Sequence, residues 1–172
     1  LHPKIHGGIL SKRKNKIHNK NLKDNKISEI DLVIVNFYPF EKIIAKTKNE
    51  KNIIENIDIG GPAMARAAAK NFNDVTVLTN INQYNDLIKN IKINNGSTSL
   101  DFRKEMAKDA FSATAHYDVL ISNYFNKILK DNFPNKKLIS LNLVDRLRYG
   151  ENPHQKASIY SSSNLDLKKL NG

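Results

Sequence analysis

Residues 57–71, IDIGGPAMARAAAKN, constrain the fold of this chain more than any other stretch. The double glycine at 60–61 predicts a tight turn, because glycine adopts backbone conformations that are closed to other residues. Pro62 suits the first turn of a helix, and the alanine-rich run to Lys70 has high helix propensity. Free N–H groups at the start of such a helix suit an anion, and Asp58 stands just before them. The pattern alone favours a turn followed by a buried helix, with an anion site as the alternative.

The apolar segment 30–37, IDLVIVNF, predicts a strand. It is nearly continuous and rich in β-branched residues, as expected for a strand that is covered on both faces of a parallel sheet. Pro39 ends the ladder, and Asn36 and Tyr38 stand at its carboxyl end, where ligands bind in open α/β sheets. With a second strand expected at 74–79, the fold class is predicted to be α/β.

Hydrophobic periodicity and the positions of turn residues predict the remaining elements. Helices are expected at 51–56, 82–93 and 99–129, and a further strand is expected at 138–143. Residues 1–10 are expected not to be helical, because Pro3 and the double glycine at 7–8 interrupt a helix. The polar segment 11–29 is expected to be a solvated excursion, with or without a short helix, and not a DNA-binding arm. His-Tyr-Asp at 116–118 favours packing at the edge of the core over catalysis.

Composition bounds the class of protein. The formal net charge of +11 raises nucleic-acid binding as an alternative function. However, only five of the 28 basic residues are arginine, the side chain that recognises phosphates in a bidentate manner. The absence of cysteine fits a reducing compartment such as the cytoplasm, and no apolar run approaches the ~20 residues of a membrane span. No metal site is expected, because His2 and His6 have no third ligand nearby.

Four separated strings stand in order along the chain. They are LHPKIHGG at 1–8, NFYPF at 36–40, the stretch 57–71, and RYGENPHQ at 148–155, whose composition suits a polar ligand. Together they closely resemble the AICAR transformylase/IMP cyclohydrolase family of bifunctional purine-biosynthesis enzymes over nearly the whole chain. A methylglyoxal-synthase-like phosphate enzyme would share the fold, but it leaves 148–155 unexplained.

The resemblance implies two domains. Residues 1–130 would form a three-layer, methylglyoxal-synthase-like cyclohydrolase domain with a largely parallel sheet. Residues 131–172 would be a linker and the start of a second α/β domain, the folate-dependent transformylase. The family places a catalytic Lys and a Thr directly before the string at 1–8, and a phosphate-binding strand and loop further upstream. We therefore expect a fragment with little cyclohydrolase and no transformylase activity of its own.

The resemblance also implies residue roles. Lys70 would be the proton donor and acceptor in ring closure, with Tyr38 and Asp58 orienting and polarising the substrate. The residues lining the nucleotide pocket would be Val35, Asn36, Asp58, Ile59, Gly60 and Gly61, and those contacting AICAR in the transformylase site would be Arg148 and Tyr149.

The family's reactions imply the ligands. AICAR, formyl-AICAR and IMP would be the nucleotides of a phosphoribosylaminoimidazolecarboxamide formyltransferase and IMP cyclohydrolase. Cyclisation would need no cofactor or metal, whereas the transformylase would use 10-formyltetrahydrofolate as co-substrate. The complete enzyme would be a cytoplasmic homodimer with no nucleic-acid or membrane partner.

Overall fold

A computed structural model of the chain describes residues 1–162 and contains more helix than strand. Its elements in chain order are α1 (Pro3–Leu10), α2 (Lys16–Asp24), β1 (Leu32–Ile34), α3 (Phe40–Lys46), α4 (Glu50–Glu55), α5 (Gly60–Lys70), β2 (Thr76–Leu78), a 3₁₀ turn (Ile81–Gln83), α6 (Tyr84–Ile93), α7 (Leu100–Ile128), β3 (Asn142–Leu147) and β4 (Ala157–Ser161). The chain divides into two compact units, Leu1–Ile121 and Ser122–Gly172. The functional boundary at residue 130 stays a prediction, and the last ten residues of its second segment lie outside the described residues.

Strands β1 and β2 pair in parallel, with Val33 opposite Val77. The predicted parallel pairing is therefore confirmed, and β2 is buried along its whole length. The expectation that β1 is covered on both faces is wrong. Because successive side chains point to opposite faces, Val33 is buried while Leu32 and Ile34 are 38% and 46% exposed. Helix α5 packs against this sheet.

Helix α1 contradicts the expectation that residues 1–10 are not helical. Pro3 occupies the first helical position, where its missing N–H costs nothing, and the His2 side chain accepts a hydrogen bond from the Lys4 N–H at 3.2 Å. Gly8 serves close packing, since a Cβ there would lie 2.4 Å from the Ser28 carbonyl oxygen. The two glycines have low helix propensity, but the close tertiary contact favours glycine at position 8 within the helix.

The segment 11–29 is mostly exposed, as expected, and contains the short helix α2, while Arg13 anchors its first residues. The Arg13 guanidinium is 18% exposed and donates to the Ser11 and Ile30 carbonyl oxygens, each at 2.8 Å. It also pairs with Asp31 at 3.1 Å, and the Arg13 backbone N–H donates to the Asp74 carboxylate at 3.3 Å. One side chain thus fastens the end of α1 to the start of β1.

The helices predicted at 51–56, 82–93 and 99–129 are confirmed as α4, α6 and α7, and α7 is continuous. The core of the first unit has the following buried apolar residues: Ile9, Val33, Ala65, Ala68, Ala69, Val75, Val77, Leu78, Leu87, Phe102, Met106, Ala107 and Ala110. Among residues 1–162, no helix is both long and apolar enough to cross a membrane.

The strand predicted at 138–143 begins later than expected, as β3. It pairs antiparallel with β4, and Asn142 lies opposite Ser161, the last residue of β4. Residues 138–141 therefore have no partner in the described ladder and remain outside the strand.

Candidate functional site

The Asp58 carboxylate joins two segments that the sequence singles out. One oxygen, Oδ1, accepts a hydrogen bond from the Gly61 N–H at 2.8 Å in the first turn of α5. The other, Oδ2, accepts one from the Tyr38 N–H at 3.3 Å, just beyond the carboxyl end of β1. The strand end and the helix start therefore meet at a single acidic side chain.

The reason for the double glycine differs from the predicted one. Neither Gly60 nor Gly61 has a positive φ, so the turn needs no conformation restricted to glycine. At Gly61 a Cβ would lie 2.5 Å from Asp58 Oδ2, whereas a Cβ at Gly60 would meet open space. The Gly61 N–H donates to the Asp58 carboxylate. The anion at the start of this helix is therefore a side chain of the protein itself and not the external ligand that the sequence allows as an alternative.

Tyr117 of α7 is the contact to this turn that sequence reasoning missed. The Asp58 N–H donates to the Tyr117 hydroxyl oxygen at 2.8 Å, and the residue is 5% exposed. Its ring makes edge-to-face contacts with Phe37 and Phe40, at centroid distances of 5.5 and 6.2 Å. Burial raises the pKa of the Tyr117 hydroxyl, and the nearby carboxylates add to the rise, although the Asp58 N–H opposes it.

The other predicted pocket residues fall in the same region. Val35 extends the parallel ladder by donating its N–H to the Leu78 carbonyl at 3.0 Å. Asn36 is exposed, and its Nδ2 lies 3.5 Å from the Tyr84 hydroxyl at the start of α6. Tyr38 and Ile59 are 55% and 64% exposed, so their side chains are accessible to a ligand.

Lys70 lies at the opposite end of α5 from Asp58. The helix begins at Gly60 and ends at Lys70, which places the two ends about 15 Å apart at 1.5 Å per residue. Lys70 is exposed and lines a separate cavity of about 390 Å³ together with Lys12, His18 and Asp74. The structure therefore groups Tyr38 with Asp58 but separates Lys70 from both.

A larger cavity, of about 760 Å³, lies at the carboxyl end of β2, where Thr79 and Asn80 follow the strand. Its charged lining residues are three acidic side chains and one lysine: Asp86, Glu105, Asp109 and Lys89. The excess of negative charge disfavours a phosphate group there. Among residues 1–162, no group of three or more His, Cys, Asp or Glu side chains could hold a metal ion.

Arg148 and Tyr149 lie in the second unit, in the loop that joins β3 to β4, and both are exposed. The loop is closed by the Gly150 N–H, which donates to the Gln155 carbonyl at 2.8 Å. The Gln155 side-chain oxygen accepts from the Asn152 N–H at 3.1 Å. The polar string therefore forms an ordered turn that presents Arg148 and Tyr149 to solvent.

Asp58 retains the capacity to bind a ligand. Each of its carboxylate oxygens accepts one backbone N–H, and an ionised carboxylate offers further lone pairs. A ligand N–H or O–H group can therefore be held there in a fixed direction, and the segment that donates the Tyr38 N–H also carries an exposed phenol. This arrangement suits recognition of an amide or a hydroxyl group.

Two family models match the chain. Residues 3–63 match an MGS-like domain, which agrees with the parallel α/β arrangement and with the class of fold expected from the sequence. Residues 68–172 match the AICARFT/IMPCHase bienzyme model, which covers more than half of the chain. The chain belongs to the AICARFT/IMPCHase bienzyme family, and the resemblance carried by the four strings is confirmed.

Relatives agree with this assignment. The bifunctional purine biosynthesis protein PurH of Prochlorococcus marinus (strain MIT 9515) is 51% identical over 165 residues, which are 96% of this chain and 31% of that protein. PurH of Elusimicrobium minutum (strain Pei191) is 44% identical over 175 residues, covering 100% of this chain and 34% of that protein. The crystal structure of ForH superposes with a TM-score of 0.60 at 31% identity, covering 70% of this chain and 62% of that chain. The chain spans about a third of the length of the curated relatives it matches.

Proposed function

We propose that the residues around Asp58 form one wall of a purine-nucleotide pocket that serves IMP cyclohydrolase chemistry. The observation that carries the proposal is the Asp58 carboxylate, which backbone N–H groups of Tyr38 and Gly61 hold in one orientation. The family membership supplies the reaction. The enzyme to which this chain contributes then catalyses the last two steps of IMP formation, formyl transfer to AICAR and ring closure of formyl-AICAR.

Ring closure needs the kind of groups that this wall supplies. The carboxamide nitrogen of formyl-AICAR attacks the formyl carbon, a C–N bond forms, and water leaves after proton transfer. An amide nitrogen is a weak nucleophile, so orientation and proton removal lower the barrier. Asp58 accepts the carboxamide N–H and fixes its direction, while the exposed Tyr38 hydroxyl donates to the oxygen on which negative charge develops.

Lys70 is assigned the proton transfer by resemblance to the family. In the structure it stands at the far end of α5 from Asp58, about 15 Å along the helix axis. The proton transfer assigned to Lys70 and the carboxamide contact assigned to Asp58 therefore cannot both take place at one carboxamide group of a ligand bound to a single chain in this arrangement. The role of Lys70 rests on the resemblance alone.

The transformylase half of the proposal rests on Arg148 and Tyr149. Both are accessible on the β3–β4 loop, where a guanidinium can hold a phosphate or carboxylate and a phenol can stack on a base. AICAR is the nucleotide there, and 10-formyltetrahydrofolate is the carbon donor. The absence of cysteine supports the cytoplasm as the site of action, and the complete enzyme is proposed to be a homodimer without a nucleic-acid or membrane partner.

A chimera tests the proposal. The matching segment of PurH from Prochlorococcus marinus is replaced by this chain, and IMP formation from formyl-AICAR is followed by absorbance. The unaltered relative is the control for the rest of the enzyme. We expect turnover within about tenfold of that control, and Asp58→Ala in the chimera should abolish it. A folded chimera that forms no IMP, or an Asp58→Ala variant that closes the ring normally, would contradict the proposal.

A further inference from the structure

We propose that Tyr117 is a positioning residue for the wall of the nucleotide pocket that Asp58 and Tyr38 form. Its hydroxyl group holds Asp58, and its ring holds the segment around Tyr38. The inference rests on the proposed function of the Asp58 region. It assigns to α7 a role in a site whose other members all stand before residue 71.

The hydroxyl contact fixes the backbone of Asp58. The Asp58 N–H donates to the Tyr117 oxygen at 2.8 Å, a near-ideal hydrogen-bond length. The carboxylate of the same residue is held at both oxygens, by the Gly61 and Tyr38 N–H groups. The backbone and the side chain of Asp58 are therefore oriented from three directions, and only Tyr117 secures the N–H among the described contacts.

The ring contact fixes the strand end. Phe37 and Phe40 flank Tyr38 on either side, and both pack edge-to-face on the Tyr117 ring. Phe40 is 1% exposed, and its N–H donates to the Tyr38 carbonyl at 2.8 Å, which closes a tight turn. The same residue of α7 thus holds both segments whose polar groups form the wall.

Tyr117 is not placed to react with a ligand. It is 5% exposed, and burial raises the pKa of its hydroxyl above the ordinary value. The phenol therefore stays protonated and keeps its oxygen available to the Asp58 N–H. Its effect on a ligand passes through Asp58 and Tyr38, the residues that it orients.

The test compares Tyr117→Phe with the wild-type chain and with Tyr160→Phe, a matched change at an exposed tyrosine of β4. Amide NMR signals and thermal unfolding midpoints are recorded for each 172-residue protein, and IMP is titrated into the chimeric PurH that carries the same change. For Tyr117→Phe we expect an upfield shift of the Asp58 amide proton and a roughly 10-fold loss of IMP affinity, the loss expected for one buried hydrogen bond. The unfolding midpoint should change little, because the ring is retained.

Tyr117→Leu removes both the hydroxyl contact and the ring contacts, and it should also shift the amide signals of Phe37 and Tyr38.

The possible outcomes distinguish the proposed function from the positioning role of Tyr117. A wild-type chimera that does not bind IMP would contradict the proposed function and the inference that rests on it. Normal binding by the wild type with equal affinity in Tyr117→Phe would contradict the positioning role alone. A loss of affinity that merely follows the unfolding midpoint in all variants would also overturn that role.

Discussion

Asp58 and Lys70 stand at opposite ends of one helix, α5, which separates them by about 15 Å. Asp58 closes the first turn through the Gly61 N–H, whereas Lys70 is the basic residue of the last turn and lines a cavity with Lys12 and His18. The two residues of one chain therefore cannot both contact the same atom of a bound ligand. This geometry makes the assigned role of Lys70 open to a direct test.

Lys70→Met should lower the turnover number of the chimeric enzyme by about 100-fold or more, the usual effect of removing a positioned proton-transfer group. Lys46→Met is the matched control, because Lys46 is the exposed lysine in the last turn of α3. Both changes remove the same favourable interaction with a helix C-terminus, worth about 0.3–1 kcal/mol. Steady-state assays of IMP formation distinguish the two. Equal rates in the two variants would show that Lys70 is a surface lysine only.

Gly61→Ala should destabilise the first unit by about 1–3 kcal/mol, because the added Cβ meets the Asp58 carboxylate at 2.5 Å and must displace it. Gly60→Ala is the control, since a Cβ there contacts nothing within 4 Å. Alanine's helix propensity could even stabilise that variant by up to about 1 kcal/mol. Urea unfolding gives both free energies. A Gly61→Ala protein as stable as Gly60→Ala would show that the carboxylate is not held where the structure has it.

The elements that the sequence predicts well are those that local patterning specifies. The β-branched run before Asn36 and the alanine-rich run before Lys70 gave the right element types, and periodicity gave α6 and α7. The sequence does not predict helix α1 because Gly8 lowers helix propensity, whereas its role is a close contact with the Ser28 backbone that propensity does not register. The exposed face of β1 was missed because an apolar run cannot show which neighbours cover it.

The residues of the candidate site likewise fall into those that the sequence predicts and those that it does not. Tyr38 and Asp58 were singled out by motif, and the structure joins them although they are 20 positions apart. Tyr117 was interpreted as packing, which its burial supports, but the hydrogen bond to Asp58 spans 59 positions and no local pattern encodes it. At Gly61 the sequence correctly indicates a position that needs glycine, but the predicted reason is wrong, because its φ is not positive.

Arg13→Gln should destabilise the first unit by about 1–3 kcal/mol, because the partly buried carbonyl oxygens of Ser11 and Ile30 lose a charged donor. Arg13→Lys should recover only part of this, since an ammonium group cannot reproduce the fork of the guanidinium. Arg146→Gln, at an exposed position of β3, is expected to stay within about 0.5 kcal/mol of the wild type. Chemical denaturation of the three variants decides the matter. An Arg13→Gln protein as stable as Arg146→Gln would rule out the anchoring role.

Tyr117→Phe should make the protein less sensitive to alkaline pH. Burial raises the pKa of the folded Tyr117 hydroxyl, so above about pH 10 the unfolded chain loses this proton while the folded chain keeps it. The unfolded state then binds fewer protons, and the free energy of unfolding falls as pH rises, by at most about 1.4 kcal/mol per pH unit from this group. The contribution is complete below the unfolded pKa and is lost as pH rises towards the folded pKa. The free energy of unfolding of the wild type should therefore fall relative to that of Tyr117→Phe as pH rises from about 9 to 11, since all other titrating groups are shared. Tyr160→Phe controls for the loss of one phenol elsewhere, and parallel curves for wild type and Tyr117→Phe would show that Tyr117 is not buried as a protonated hydroxyl.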